Sequence, residues 1–117
     1  MAYIDGFVIP VATANKQGFI DHATAVDKFF IDYGALRVVE CWQDDVPDGQ
    51  VTDFKRAVAT EAGESVVFSW IEWPDKATRD AAYAAMTDNA EMNALPMPFD
   101  GKRMIYGGFV PVFVLEK

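Results

Sequence analysis

Leu36-Arg37-Val38-Val39-Glu40-Cys41-Trp42 and Val66-Val67-Phe68-Ser69-Trp70-Ile71-Glu72-Trp73 decide how this chain folds. Both runs are short and rich in β-branched and aromatic residues, the pattern of β-strands. Alternate side chains of a strand share a face. Leu36, Val38, Glu40 and Trp42 therefore point one way, and Val66, Phe68, Trp70 and Glu72 point one way on the second strand. Each strand sets a carboxylate two residues from a tryptophan among apolar neighbours. A charge there is costly unless paired, hydrated or used, so a site is sought on these strands.

Working outward, Tyr3 to Val11 reads as another strand, followed by a helix from about Ala14 to Tyr33. Phe19, Ala23, Val26, Phe30 and Tyr33 recur at helical spacing, and Gly34 stands where a left-handed residue would end the helix. Asp44-Asp45-Val46-Pro47-Asp48-Gly49 is a turn-rich connection. Residues 51–60 fit a helix starting at Thr52 or Asp53, and equally an extended arm paired with 65–73 through a turn at Glu61-Ala62-Gly63-Glu64. Asp75 is a good N-cap for a helix running to about Asp88, with Ala81, Ala82, Ala85 and Met86 as its buried stripe. A short helical turn follows. Arg103 to about Leu115 reads as the last strand, with Pro111 the point where it could break.

Strand–helix–strand twice over is an α+β, ferredoxin-like βαββαβ arrangement, an antiparallel four-stranded sheet with two helices on one face. Parity divides the strand residues into two sets. Ile4, Gly6, Val8, Val39, Cys41, Val67, Ser69, Ile71, Ile105 and Gly107 are small and aliphatic. Tyr3, Asp5, Phe7, Ile9, Val38, Glu40, Trp42, Phe68, Trp70, Glu72, Met104 and Tyr106 are aromatic and acidic. Helices pack most easily on the small set. The aromatic–acidic face is then bare, and a patch that broad predicts a homodimer in which two sheets meet.

Bulk properties narrow the function classes. At 117 residues the chain is one domain, and 51% hydrophobic residues exclude a disordered reading. Eighteen acidic residues against ten Lys plus Arg give a net charge of −8, the wrong sign for a nucleic-acid partner. No apolar run approaches the roughly 20 residues of a membrane span. The first residues lack the basic head and apolar stretch of an export signal, so a cytoplasmic protein is expected. The lone Cys41 excludes an internal disulfide and multi-cysteine metal motifs.

A resemblance covers nearly the whole chain. It is carried by Asp5-Gly6-Phe7-Val8, by Gly34 to Trp42, by Val46-Pro47-Asp48-Gly49 and Val51-Thr52-Asp53-Phe54, by Val66 to Pro74, and by Met97 to Phe109. Together these resemble the YbaA-like proteins, a bacterial family known as domain of unknown function 1428. The resemblance implies a dimeric α+β barrel and a strand at residues 53–60. It implies no activity. The wider barrel superfamily holds cofactor-independent monooxygenases, haem-degrading enzymes, isomerases and binding proteins, among which fold cannot choose.

Asp5, Glu40 and Glu72 are the candidate general bases, with ion pairing to Arg37, Lys102 or Arg103 as the plainer explanation of each. Trp42, Trp70, Tyr3, Tyr106 and Phe68 are the candidate ligand-binding residues, with interface core as the alternative. His22, the only histidine, reads as a partly exposed structural residue, and Cys41 as inert core facing the helices. Gly107-Gly108 reads as a kink in the last strand. No metal or cofactor is expected. The expected function is a homodimer with a small-molecule pocket on the aromatic–acidic sheet face, or a cofactor-independent monooxygenase or isomerase acting on a phenolic or enolisable molecule.

Overall fold

A computed structural model describes residues 2–117. In chain order the elements are β1 (Tyr3–Ala12), α1 (Lys16–Asp32), β2 (Arg37–Trp42), α2 (Phe54–Ala57), β3 (Glu64–Trp73), α3 (Lys76–Thr87), α4 (Ala90–Asn93) and β4 (Ile105–Phe109). All pairings are antiparallel, in the order β2-β3-β1-β4, the ferredoxin-like arrangement. α1 stops where Gly34 takes φ +114°, a conformation that side chains resist. α3 starts where the Asp75 carboxylate accepts the Thr78 N–H at 2.7 Å.

Residues 53–60 are not a strand. Asp53 caps α2 by accepting the Arg56 N–H at 2.7 Å, and the Arg56 guanidinium folds back onto Asp53 and the Val51 carbonyl. A hairpin arm would also have no edge to join, because β3 is already flanked by β2 and β1. The last strand is shorter than expected and ends at Phe109, which pairs with Ile4 near the start of β1.

The register corrects the division of faces. Tyr3 pairs with Trp73, Asp5 with Ile71, Phe7 with Ser69 and Ile9 with Val67, so these residues share one side with Val38, Glu40 and Trp42. This is the helix side: Tyr3, Ile71 and Trp73 pack with Ala82 and Met86 of α3, and Ile9 and Val67 with Phe19 of α1. Ile4, Gly6, Val8, Val39, Cys41, Phe68, Trp70, Glu72, Ile105 and Gly107 lie on the other side. Tyr3 and Trp73 go beneath α3, whose buried stripe includes the small Ala82. Bulky sheet residues fill the space that Ala82 and Ala35 leave. On the far side Trp70 lies opposite Gly6, itself opposite Gly107, so two positions without side chains leave room beside the indole.

The core is therefore aromatic on the sheet side. Phe30 and Tyr83 stand edge-on to one another at 6.5 Å, and each meets Trp73 in the same geometry. Gly108 is required by this packing, since a Cβ there would collide with the Tyr3 ring.

Candidate functional site

The three predicted carboxylates come apart. Asp5 lies near the start of β1, 2% exposed, beneath α3. Its oxygens accept from Trp73 Nε1 at 2.9 Å, Tyr83 Oη at 2.8 Å and Arg79 Nη2 at 2.9 Å. Arg79 is held in turn against the rings of Tyr3 and Tyr83 at 5.3 and 4.8 Å. Hydrogen bonding to Asp5 raises Arg79 further above its usual range, and burial raises the Tyr83 phenol. An acid so fully donated to ties α3 to the sheet, the arrangement of a structural anchor. Its partner is Arg79 rather than any of the three cations expected.

Glu72 lies on the opposite side of the sheet. It accepts from Trp70 Nε1 at 3.0 Å and stands 3.6 Å from Arg37, an open-face cluster that no helix covers. Arg103 instead ties the segment before β4 to Glu64 at 2.6 and 2.7 Å.

Glu40 is different. It projects from β2 beneath α1, opposite Ser69, and meets Asp27 of that helix. The two carboxyls lie close enough that a protonated Glu40 would donate to Asp27. Burial, then the charge and hydrogen bond of Asp27, push the Glu40 carboxyl up to about 8. Burial raises Asp27 to about 6, against the bond from Glu40 and the nearby His22, which pull it down. Near neutral pH the pair thus holds one proton and one negative charge, and titrates as a unit.

This pair borders a cavity of about 290 Å³ between α1, the sheet and the segment that follows α3. Phe7, Phe19, Phe30 and Phe99 give it aromatic walls, and Met92, Met97 and Met104 close it from the segment after α3. The polar groups reaching it are His22, Asp27, Glu40, Ser69 and Asn93. His22 stands edge-on to Phe99 and donates from Nδ1 to the Pro96 carbonyl at 2.9 Å, pinning the covering segment to α1. Aromatic walls with a few convergent polar groups are the make-up of a small-molecule site.

The five predicted ligand residues do not line it. Tyr3 is buried under Arg79, and Trp42 packs on Phe19 with Lys16 5.6 Å above its ring. Tyr106 stacks on Phe7 at the sheet edge. Phe68 and Trp70 lie on the open side, 5.9 Å apart, where Phe54 of α2 meets Phe68 edge-on. There they help line a shallow apolar hollow of about 840 Å³ with Ile4, Val8 and Phe109. Cys41 is on that side too, not facing the helices.

Asp27 is the residue the sequence reading passed over. Its signal was present: with Ala23, Val26 and Phe30 at helical spacing, position 27 falls within the buried stripe of α1, where an acid is out of place. Among the described residues no group of three or more His, Cys, Asp or Glu is placed to hold a metal ion, and no helix is long and apolar enough to cross a membrane.

Comparison with known proteins agrees with the architecture. Residues 2–101 match the family described as "Protein of unknown function (DUF1428)". The uncharacterized protein YbaA of Escherichia coli K12 is 53% identical over 111 residues, which span 93% of this chain and 95% of that protein, and YbaA of Shigella flexneri matches equally. A dimeric ferredoxin-like protein from an uncultured marine organism has a TM-score of 0.60 at 14% identity, covering 98% of this chain and 100% of that one. A Bacillus cereus protein provisionally described as an antibiotic biosynthesis monooxygenase has a TM-score of 0.56 at 12% identity, covering 99% and 98%. At such identities the two structures speak for the fold alone.

Proposed function

Because the chain belongs to the DUF1428 family of unknown function, membership brings no activity, and we propose one from the site itself. The protein is a cytoplasmic homodimer in which each protomer binds a small, flat, largely apolar molecule in the cavity between helices and sheet. The carrying observation is that Asp27 and Glu40, two carboxyls whose pKa values burial raises, face an aromatic cavity of about 290 Å³ together. Such a pair both donates and accepts, and its single negative charge disfavours carboxylate ligands while suiting a phenolic or enolic hydroxyl. The sheet's open side, with Ile4, Phe68, Trp70 and Phe109 around a broad apolar hollow, supports the dimer, as does the dimeric neighbour.

The same pair favours a second reading, an isomerase or cofactor-independent monooxygenase. A base with a pKa of about 6 beside an acid of about 8 is matched to proton transfer near neutral pH. Asp27 would take a proton from an enolisable carbon and Glu40 would return one at a second position, which completes an isomerisation. With dioxygen as second substrate, the enolate or phenolate left in the dry cavity is the species that would be oxidised.

The methionines provide the test. Met92, Met97 and Met104 line the cavity, whereas Met86, on the buried side of α3, does not. With methyl-labelled methionine, phenols and enolisable ketones are expected to shift the first three signals and leave Met86 still. Asp27→Asn and Glu40→Gln should weaken the response by roughly tenfold or more, the worth of a charged hydrogen bond. Binding that leaves all three cavity methionines unmoved would contradict the assignment. Catalysed deuterium uptake by a bound ketone in D₂O, lost in Asp27→Asn, would mark the enzyme.

A further inference from the structure

Residues 109–115, Phe-Val-Pro-Val-Phe-Val-Leu, carry no charge and no hydrogen-bonding side chain. Val112 is 96% exposed, Phe113 80% and Leu115 83%. Seven consecutive apolar residues, several β-branched, have the composition of a buried strand, with Pro111 confining such a strand to a sheet edge. The two phenylalanines alone leave on the order of 280 Å² uncovered.

The chain's own sheet does not cover this segment. The β4 ladder ends at the Ile4–Phe109 pair, and β1 itself begins one residue beyond, at Tyr3. Past Phe109 the segment runs beyond the described start of β1, and, among the described residues, 110–117 enter no further ladder or backbone hydrogen bond. Pro111, lacking an N–H, sits where that departure happens. Val110 and Pro111 meanwhile line the hollow on the open side of the sheet with Ile4, Trp70 and Phe109, so the segment is continuous with that surface.

We propose that residues 110–115 of each chain cross to a second copy and lie as an added strand against its open sheet side, the two copies exchanging segments reciprocally. This rests on the homodimer proposed above and goes beyond it, since two sheets could meet face to face with their tails free. A second copy is the occupant because the surface is self-complementary. An uncharged β-branched segment leaves one apolar sheet side and finds an identical apolar side across a two-fold axis. The exposed rings add to what the sheet side offers toward the roughly 800 Å² per partner of a stable interface.

The test mixes isotopically heavy and light chains, each with a photo-cross-linking residue in place of Phe113, and is read with sedimentation of the full chain and of a chain lacking residues 110–117. The proposal expects heavy–light cross-linked pairs in the dimer, and a dimer dissociation constant at least about tenfold weaker after deletion. Cross-links confined within single chains of a full-length dimer, with a deleted form that dimerises as tightly, would overturn the exchange and leave the homodimer standing. A full-length chain that sediments as a monomer at micromolar concentration would overturn both.

Discussion

Glu40 keeps a proton at a pH where carboxyls have ordinarily lost it, and that has a stability consequence of definite sign. Both members of the pair have pKa values raised by folding, so between about 4.5 and 8 the folded state holds more protons than the unfolded one. Stability must then fall as pH rises through that window. Glu40→Gln keeps a donor toward Asp27 and removes the titration of Glu40 itself. Urea unfolding should show a flatter profile from pH 5 to 8.5, with the variant exceeding the wild type by roughly 1–3 kcal/mol at the alkaline end. Parallel profiles would argue against a shared proton. Asp5 makes the contrasting case: Arg79→Met leaves it buried with its cation gone, at a cost of roughly 3–5 kcal/mol, and replacing both by apolar residues should recover much of that loss. Both residues carry carboxylates on one face of the sheet. What separates the raised Glu40 carboxyl from the Asp5 anchor is whether a cation stands opposite, and that information lies on α1 and α3, outside the strands themselves.

Helix ends are where local sequence and structure agree most closely. Gly34 ends α1 at φ +114°, and Asp75 caps α3, both as the residue types require. Gly34→Ala should cost roughly 1–3 kcal/mol, since it forces a side chain into that conformation and against Thr78, and thermal or chemical denaturation would measure it. A loss near zero would mean the helix end relaxes freely. The four strands and the two long helices were legible because each has its own period and its own stop. Residues 53–60 were not, because composition there allows strand and helix alike. The outcome is decided by β2, which already occupies the edge of β3 that an arm would need. β4 stops early for a similar reason: its length is set by the start of β1, not by its own β-forming residues.

At the scale of the whole molecule, the fold could be read from the chain and the side of the sheet facing the helices could not. Parity says which residues of one strand travel together, but joining strands into faces requires the register, and a one-residue slip reverses every side chain. Pairing Phe7 with Ser69 rather than with a bulky neighbour put Tyr3, Asp5, Glu40 and Trp42 beneath the helices and left Phe68, Trp70 and Glu72 outside. The candidate site moved with them, from the open side to a cavity inside the protomer, while the case for an interface on the open side remained. The central claim is that Asp27 and Glu40 share one proton in that cavity. It is tested most directly by following their side-chain carboxyl carbons through a ¹³C NMR pH titration. The account predicts two steps belonging to the pair, near pH 6 and near pH 8. Two independent titrations close to pH 4 would contradict it.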